Sequence, residues 1–294
     1  MQNGVVFVDS KLYSRDFPDA MSEVLPGVSW GLIEAFPTPA YWAYQVWAND
    51  QEPEPINYKL GATLAEEIGA CLLGGHGIPA NVGLAAFGHL KNLGAFDGEV
   101  PSEAQLQEWL TTPLKIGSRS VRYRFAKQKA RYLHAALVAL SVGGYPLSSG
   151  RALRDWLLSL PGIGYKTASW IARNWLDADD VAILDIHILR AGVLAGFFSP
   201  GLTVERHYLQ LEAEFLALSK AIDVRPSRLD ALMWYQMMSA PSVVHSLLNE
   251  AGLKAAYPFD SGPPTRATPT PVSTPEGATW PAQGSPVIPK GQNA

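Results

Sequence analysis

Lys166 and Asp185 are the two residues whose types and settings are best suited to act together chemically. Lys166 follows the turn Pro161-Gly162-Ile163-Gly164 and opens a helical pattern that runs from Tyr165 to Leu176. An amine there lies at the positive end of the helix dipole, and in its neutral form it is a nucleophile. Asp185 stands nineteen residues further on, between the apolar run Val181–Leu184 and a second helical run. That setting makes it a natural N-cap, where a carboxylate accepts backbone N–H bonds. The pair could meet across a cleft, the carboxylate stabilising positive charge on a carbon that the amine attacks.

The elements around the pair must hold it there. Helical patterns at 152–159 and 165–176 flank the glycine turn, so the two helices must form a tight hairpin. Gly162 and Gly164 permit backbone angles and close approaches that a side chain forbids. The turn therefore presents bare amides at a helix start, a setting suited to a phosphate. At about 100° per residue, Ala168, Ile171, Ala172 and Trp175 share one arc and face a core. Lys166 points the opposite way, flanked by Trp170 and Arg173.

Further helices are expected over 60–73, 80–90, 97–110, 120–140, 203–218 and 226–239, with a short β-type run at Val5–Val8. Ser102 is a plausible cap, and Pro79 can start the helix that follows it. The segment from Gly27 to Trp47 is rich in aromatics, and its prolines are expected to break any long helix. Met1–Asn57 therefore reads as a small, partly extended layer packed on a helical body, its aromatics in the core. From Pro258 onward Pro, Thr, Ser and Gly dominate, which marks 258–294 as a disordered tail. The body between them, 58–257, is mainly α.

Composition narrows the function. The 294 residues include one cysteine, Cys71, so disulfides within the chain and thiolate metal clusters are excluded. No apolar run is long enough to span a bilayer, and the first residues do not resemble a signal peptide. A cytoplasmic, monomeric protein with no membrane partner is the expectation. The formal net charge is −4, yet Lys115, Arg119, Arg122, Arg124, Lys127, Lys129 and Arg131 fall within one stretch without an acidic residue. One basic face on an acidic body is compatible with binding a phosphate backbone.

The stretches LPGIGYKTA (160–168) and LDIHILRA (184–191) together resemble the helix-hairpin-helix motif and downstream aspartate of the DNA glycosylase superfamily. Within it, the chain is most similar to the 8-oxoguanine DNA glycosylases, over roughly residues 58–252. The resemblance implies two helical subdomains flanking a cleft, with the hairpin at 151–176. Members with a lysine at the position of Lys166 excise a base and also nick the strand, whereas the methylated-base enzymes lack it. Endonuclease III and its adenine-excising relatives carry a four-cysteine iron–sulfur loop that this chain cannot form. The 8-oxoguanine branch needs none, and no metal or cofactor is expected.

The implied partner is double-stranded DNA containing a damaged base. Gly162 and Gly164 would hold a phosphate through their amides, and Trp170 could stack on the flipped base. The helix at 226–239 would wall the base pocket, where Trp234 or Met238 touches the base or packs in the core. His76, in the glycine-rich loop Gly74-Gly75-His76-Gly77, either wedges into the duplex where the nucleotide has left or caps a helix end. Lys129 lies on an otherwise apolar arc and either snorkels to solvent or reaches the vacated space. Arg131 and the other basic residues form a solvated face that also meets phosphates. Three functions fit: a glycosylase/AP lyase for oxidised purines, 8-oxoguanine above all; the same chemistry on another modified base; or a non-enzymatic DNA clamp.

Overall fold

A computed structural model describes residues 1–51, 59–75, 77–253 and 256–257. His76, the expected boundary at 57/58 and the expected tail at 258–294 lie outside the described residues.

The chain begins with an antiparallel hairpin, β1 (Gln2–Val8) and β2 (Lys11–Phe17), then a small second one, β3 (Glu23–Leu25) and β4 (Val28–Ser29). Eleven helices follow among the described residues, interrupted by one further hairpin. They are α1 (Pro39–Asn49), α2 (Leu64–Leu73), α3 (Ala80–Asn92), α4 (Glu103–Thr111), α5 (Ala126–Val142), α6 (Gly150–Leu157), α7 (Tyr165–Leu176), α8 (Ile186–Leu194), α9 (Val204–Ala221), α10 (Pro226–Ser239) and α11 (Pro241–Glu250). The hairpin, β5 (Leu114–Ile116) with β6 (Arg119–Val121), lies between α4 and α5.

Apolar side chains gather into two cores. One is built from α2 to α7 around Ile68, Leu90, Leu106, Leu133, Leu153 and Ile171. The other joins α1 to α8–α11 around Trp42, Ile188, Phe215, Met233 and Leu248. The chain passes from the first to the second between Val181 and Ala182, just before Asp185. Lys166 thus belongs to a helix of one core and Asp185 to a helix of the other.

Three expectations are corrected. The layer expected to be partly extended over 1–57 also holds a helix, opened by a proline: Pro39 takes the first turn of α1, and the Thr38 hydroxyl accepts the Tyr41 N–H at 3.1 Å. Proline is tolerated there because its missing N–H would have had no helical partner. The helix expected from Ser120 begins at Ala126, since Arg119–Val121 pairs with Leu114–Ile116 across a turn whose Gly117 has φ +58°. The helix expected from Asp97 begins at Glu103, after the Ser102 hydroxyl has capped it. The helix α11, opened by Pro241, had no strong periodic signal.

Candidate active site

The hairpin turn is shaped by what packs beneath it. Gly162 has φ +82°, and a β-carbon on it would lie 2.1 Å from the Tyr132 ring of α5. Both facts demand glycine. Ile163 is buried in the first core and anchors the turn, whereas Gly164 has open space around it and an ordinary φ of −101°. α7 has no side-chain N-cap, so its first-turn amides are left to solvent or a ligand.

Lys166 Nζ donates to Asp185 Oδ2 at 3.1 Å, with the lysine side chain 45% exposed and the aspartate side chain 11%. The amine is neither walled off nor free. Asp185 caps α8 as well: its Oδ1 accepts the amides of His187 at 2.8 Å and Ile188 at 3.2 Å. One oxygen is committed to the fold and the other to the lysine.

The segment that delivers Asp185 belongs to no helix or strand, so its amides need other acceptors. Ala182 N–H donates to Glu212 Oε1 at 3.0 Å, Ile183 N–H to Asp230 Oδ2 at 3.1 Å, and Leu184 N–H to the Tyr208 hydroxyl at 3.2 Å. That hydroxyl donates in turn to the Ala182 carbonyl at 2.8 Å. Each carboxylate spends its other oxygen on an arginine of the hairpin: Arg154 of α6 bonds Glu212, and Arg173 of α7 bonds Asp230 at 2.7 Å. Burial raises the Asp230 carboxyl to about 6, with Arg173 acting against the rise. Upstream, Asp180 caps α6 through the amides of Gly150 and Arg151, both at 3.0 Å. None of these partners carries a functional signal in the sequence.

Around the pair, Tyr165 stacks on Tyr208 with ring centres 5.1 Å apart. The His187 ring meets Trp234 edge-on at 6.5 Å, which brings Trp234 to the helix that Asp185 caps. Burial holds the His187 imidazole below its ordinary value; the Asp185 charge opposes this, and the Arg190 and Lys166 charges add to it. Trp170, one turn along α7 from Lys166, is half-buried, and Met238 of α10 is 41% exposed.

The basic residues of α5 divide. Arg131 is exposed, with its guanidinium 5.2 Å from the centre of the Tyr132 ring that covers Gly162. Lys129 takes neither of the two expected positions. Its ammonium donates to the carbonyls of Leu72 at 2.5 Å and Gly74 at 3.1 Å, closing the C-terminus of α2, where a cation is favoured. Burial lowers its pKa. It holds the start of the glycine loop rather than projecting from the surface.

A family model described as Ogg-HhH, 8-oxoguanine DNA glycosylase, matches residues 62–224. A Metallosphaera sedula protein named 8-oxoguanine DNA glycosylase/AP lyase is 33% identical over 129 residues, which cover 40% of this chain and 59% of that protein. A Methanocaldococcus jannaschii protein of the same name is 30% identical over 135 residues, covering 43% of this chain and 65% of that one. The chain thus spans about three fifths of the length of these relatives. The structure of an M. jannaschii 8-oxoguanine glycosylase/lyase in complex with 15mer DNA containing 8-oxoguanine aligns with a TM-score of 0.45 and 26% identity, over 60% of this chain and 81% of that one.

Proposed function

Since the chain belongs to the 8-oxoguanine DNA glycosylase family, whose model covers more than half of it, we propose that it excises 8-oxoguanine from double-stranded DNA and then nicks the abasic strand. The observation that carries this reading is the half-exposed Lys166 amine lying 3.1 Å from the Asp185 carboxylate at the seam of the two cores.

A base inside a duplex hides its glycosidic bond, so the nucleotide must first leave the stack. The amides of Gly162 and Gly164 and the exposed Arg131 would hold backbone phosphates, which position the strand without reading its sequence. Trp170, Trp234 and Met238 would wall the space that takes the extruded base. As the bond from C1′ to the base lengthens, positive character grows on the sugar, and the fixed Asp185 carboxylate stabilises it. Lys166, having given up a proton, forms a bond to C1′ while the base departs with its bonding electrons and takes a proton. Opening of the sugar ring gives a Schiff base. Loss of a proton from C2′ then breaks the bond from C3′ to its phosphate, and water releases the lysine. The sequence is a redox-neutral exchange of bonds that uses only groups of the chain, the DNA and water.

Borohydride reduction during turnover of an 8-oxoguanine duplex should leave a covalent protein–DNA adduct in the wild type and none in Lys166→Gln. A panel of duplexes, each with a single lesion, tests the substrate: 8-oxoguanine should be excised fastest. Faster excision of an oxidised pyrimidine would move the assignment to another base, and DNA binding without any adduct would reduce the protein to a clamp.

A further inference from the structure

We propose that Tyr208, Glu212 and Asp230 are positioning residues that set Asp185 against Lys166, an inference that rests on the excision reading above. Each of the three takes one of the three consecutive amides just before Asp185. A bland account is available, since buried amides must be satisfied somehow. It does not explain why two of the three acceptors are carboxylates, each paired with an arginine.

Glu212 and Asp230 are nearly sealed from water, with side chains 4% and 1% exposed, and their arginines are as deeply buried. Removing two charges from water costs so much that a buried ion pair is a poor source of stability compared with apolar packing. Such pairs do, however, fix geometry. Here the geometry they fix is a closed frame. Arg173 lies on α7 seven residues beyond Lys166, about 10 Å along the helix. From Arg173 the frame runs through Asp230 to Ile183, along the backbone to Asp185, and back to α7 through the Lys166 contact. A second arm runs from Arg154 on α6 through Glu212 to Ala182. The helix that carries the amine therefore also carries one anchor of the loop that carries the carboxylate. Any shift of one is passed to the other, although they belong to different cores.

A misplacement of about 1 Å can cost a hundredfold in rate without touching affinity, because orientation matters only when bonds change. The test is a double-mutant cycle. Tyr208→Phe deletes one hydroxyl while keeping the ring that stacks on Tyr165, and Glu212→Gln keeps shape while removing charge. Each is combined with Asp185→Asn. Single-turnover excision from an 8-oxoguanine duplex and the Kd for a duplex with an uncleavable abasic analogue are measured, and folding is checked by thermal melting. The expected result is a Kd within about twofold of wild type and excision slowed about tenfold in Tyr208→Phe, more in Glu212→Gln. In the Asp185→Asn background neither change should slow the reaction further, because nothing remains to be positioned.

A wild-type rate in both single variants overturns the proposal. So does a loss that multiplies with Asp185→Asn, or one that follows a weakened Kd, since either would mark a purely structural role. If one variant fails to fold, the other completes the cycle. A wild-type chain that neither excises nor is trapped would instead sink the excision reading, and so the two failures can be told apart.

Discussion

Lys166 and Asp185 were legible in the sequence because each announces itself locally, one by a glycine turn and the other by its place between an apolar run and a helix. Their partners were not. Arg154 and Glu212 are 58 residues apart and Arg173 and Asp230 are 57 apart, so no local pattern links them. Lys129 was misplaced for a similar reason: its acceptors are backbone carbonyls, which every sequence contains. His187 supplies a prediction at this scale. Burial depresses its folded-state pKa, so as pH falls below about 6.5 the unfolded chain takes up the proton first and stability is lost. Asp230 works in the opposite sense, since a carboxyl raised to about 6 when folded gains a proton before the unfolded chain does. The variant His187→Gln isolates the histidine. Its melting temperature should fall less than that of wild type between about pH 7.5 and about pH 5.5, and an equal fall in both would remove His187 from the balance.

Among the elements, α7 and α10 begin and end where the sequence placed them, one opened by the glycine turn and the other by Pro226. Elements set by tertiary pairing were read poorly. The strand Arg119–Val121 looks helical by itself and becomes a strand only because Leu114–Ile116 lies beside it. The hairpin joining α6 to α7 lends itself to a contrast between its glycines. Gly162→Ala forces a side chain onto φ +82° and into Tyr132, and should cost about 1–3 kcal/mol, seen as a melting point several degrees lower. Gly164→Ala, with an ordinary φ and no atom within 4 Å, should stay within about 1 kcal/mol of wild type. Equal losses would mean that Tyr132 does not define the turn.

Over the whole molecule, two cores meet where the chain crosses from Val181 to Ala182, and the proposed chemistry takes place at that crossing. The resemblance implied two helical subdomains about a cleft, but the crossing point itself was not legible in the sequence, because α1 completes the second core from the far end of the chain. Charge is unevenly spread as well. The net value of −4 hides a run from Lys115 to Arg131 with no acid in it, and Arg122 and Arg131 of that run are exposed. If this face meets DNA, replacing either arginine with alanine should weaken binding to all sequences alike. The slope of log K against log salt should become shallower by about 0.9 for each phosphate that is no longer neutralised. Fluorescence anisotropy across a salt series measures both, and unchanged slopes would place the duplex elsewhere.

The central claim is that the Lys166 amine itself becomes bonded to the sugar. Borohydride reduction of the wild-type protein on an 8-oxoguanine duplex, followed by digestion and mass spectrometry of the cross-linked peptide, asks this directly. The DNA remnant should be on the peptide containing Lys166, and no adduct should form in Lys166→Gln. A remnant on any other residue, or an adduct that survives that substitution, would contradict it.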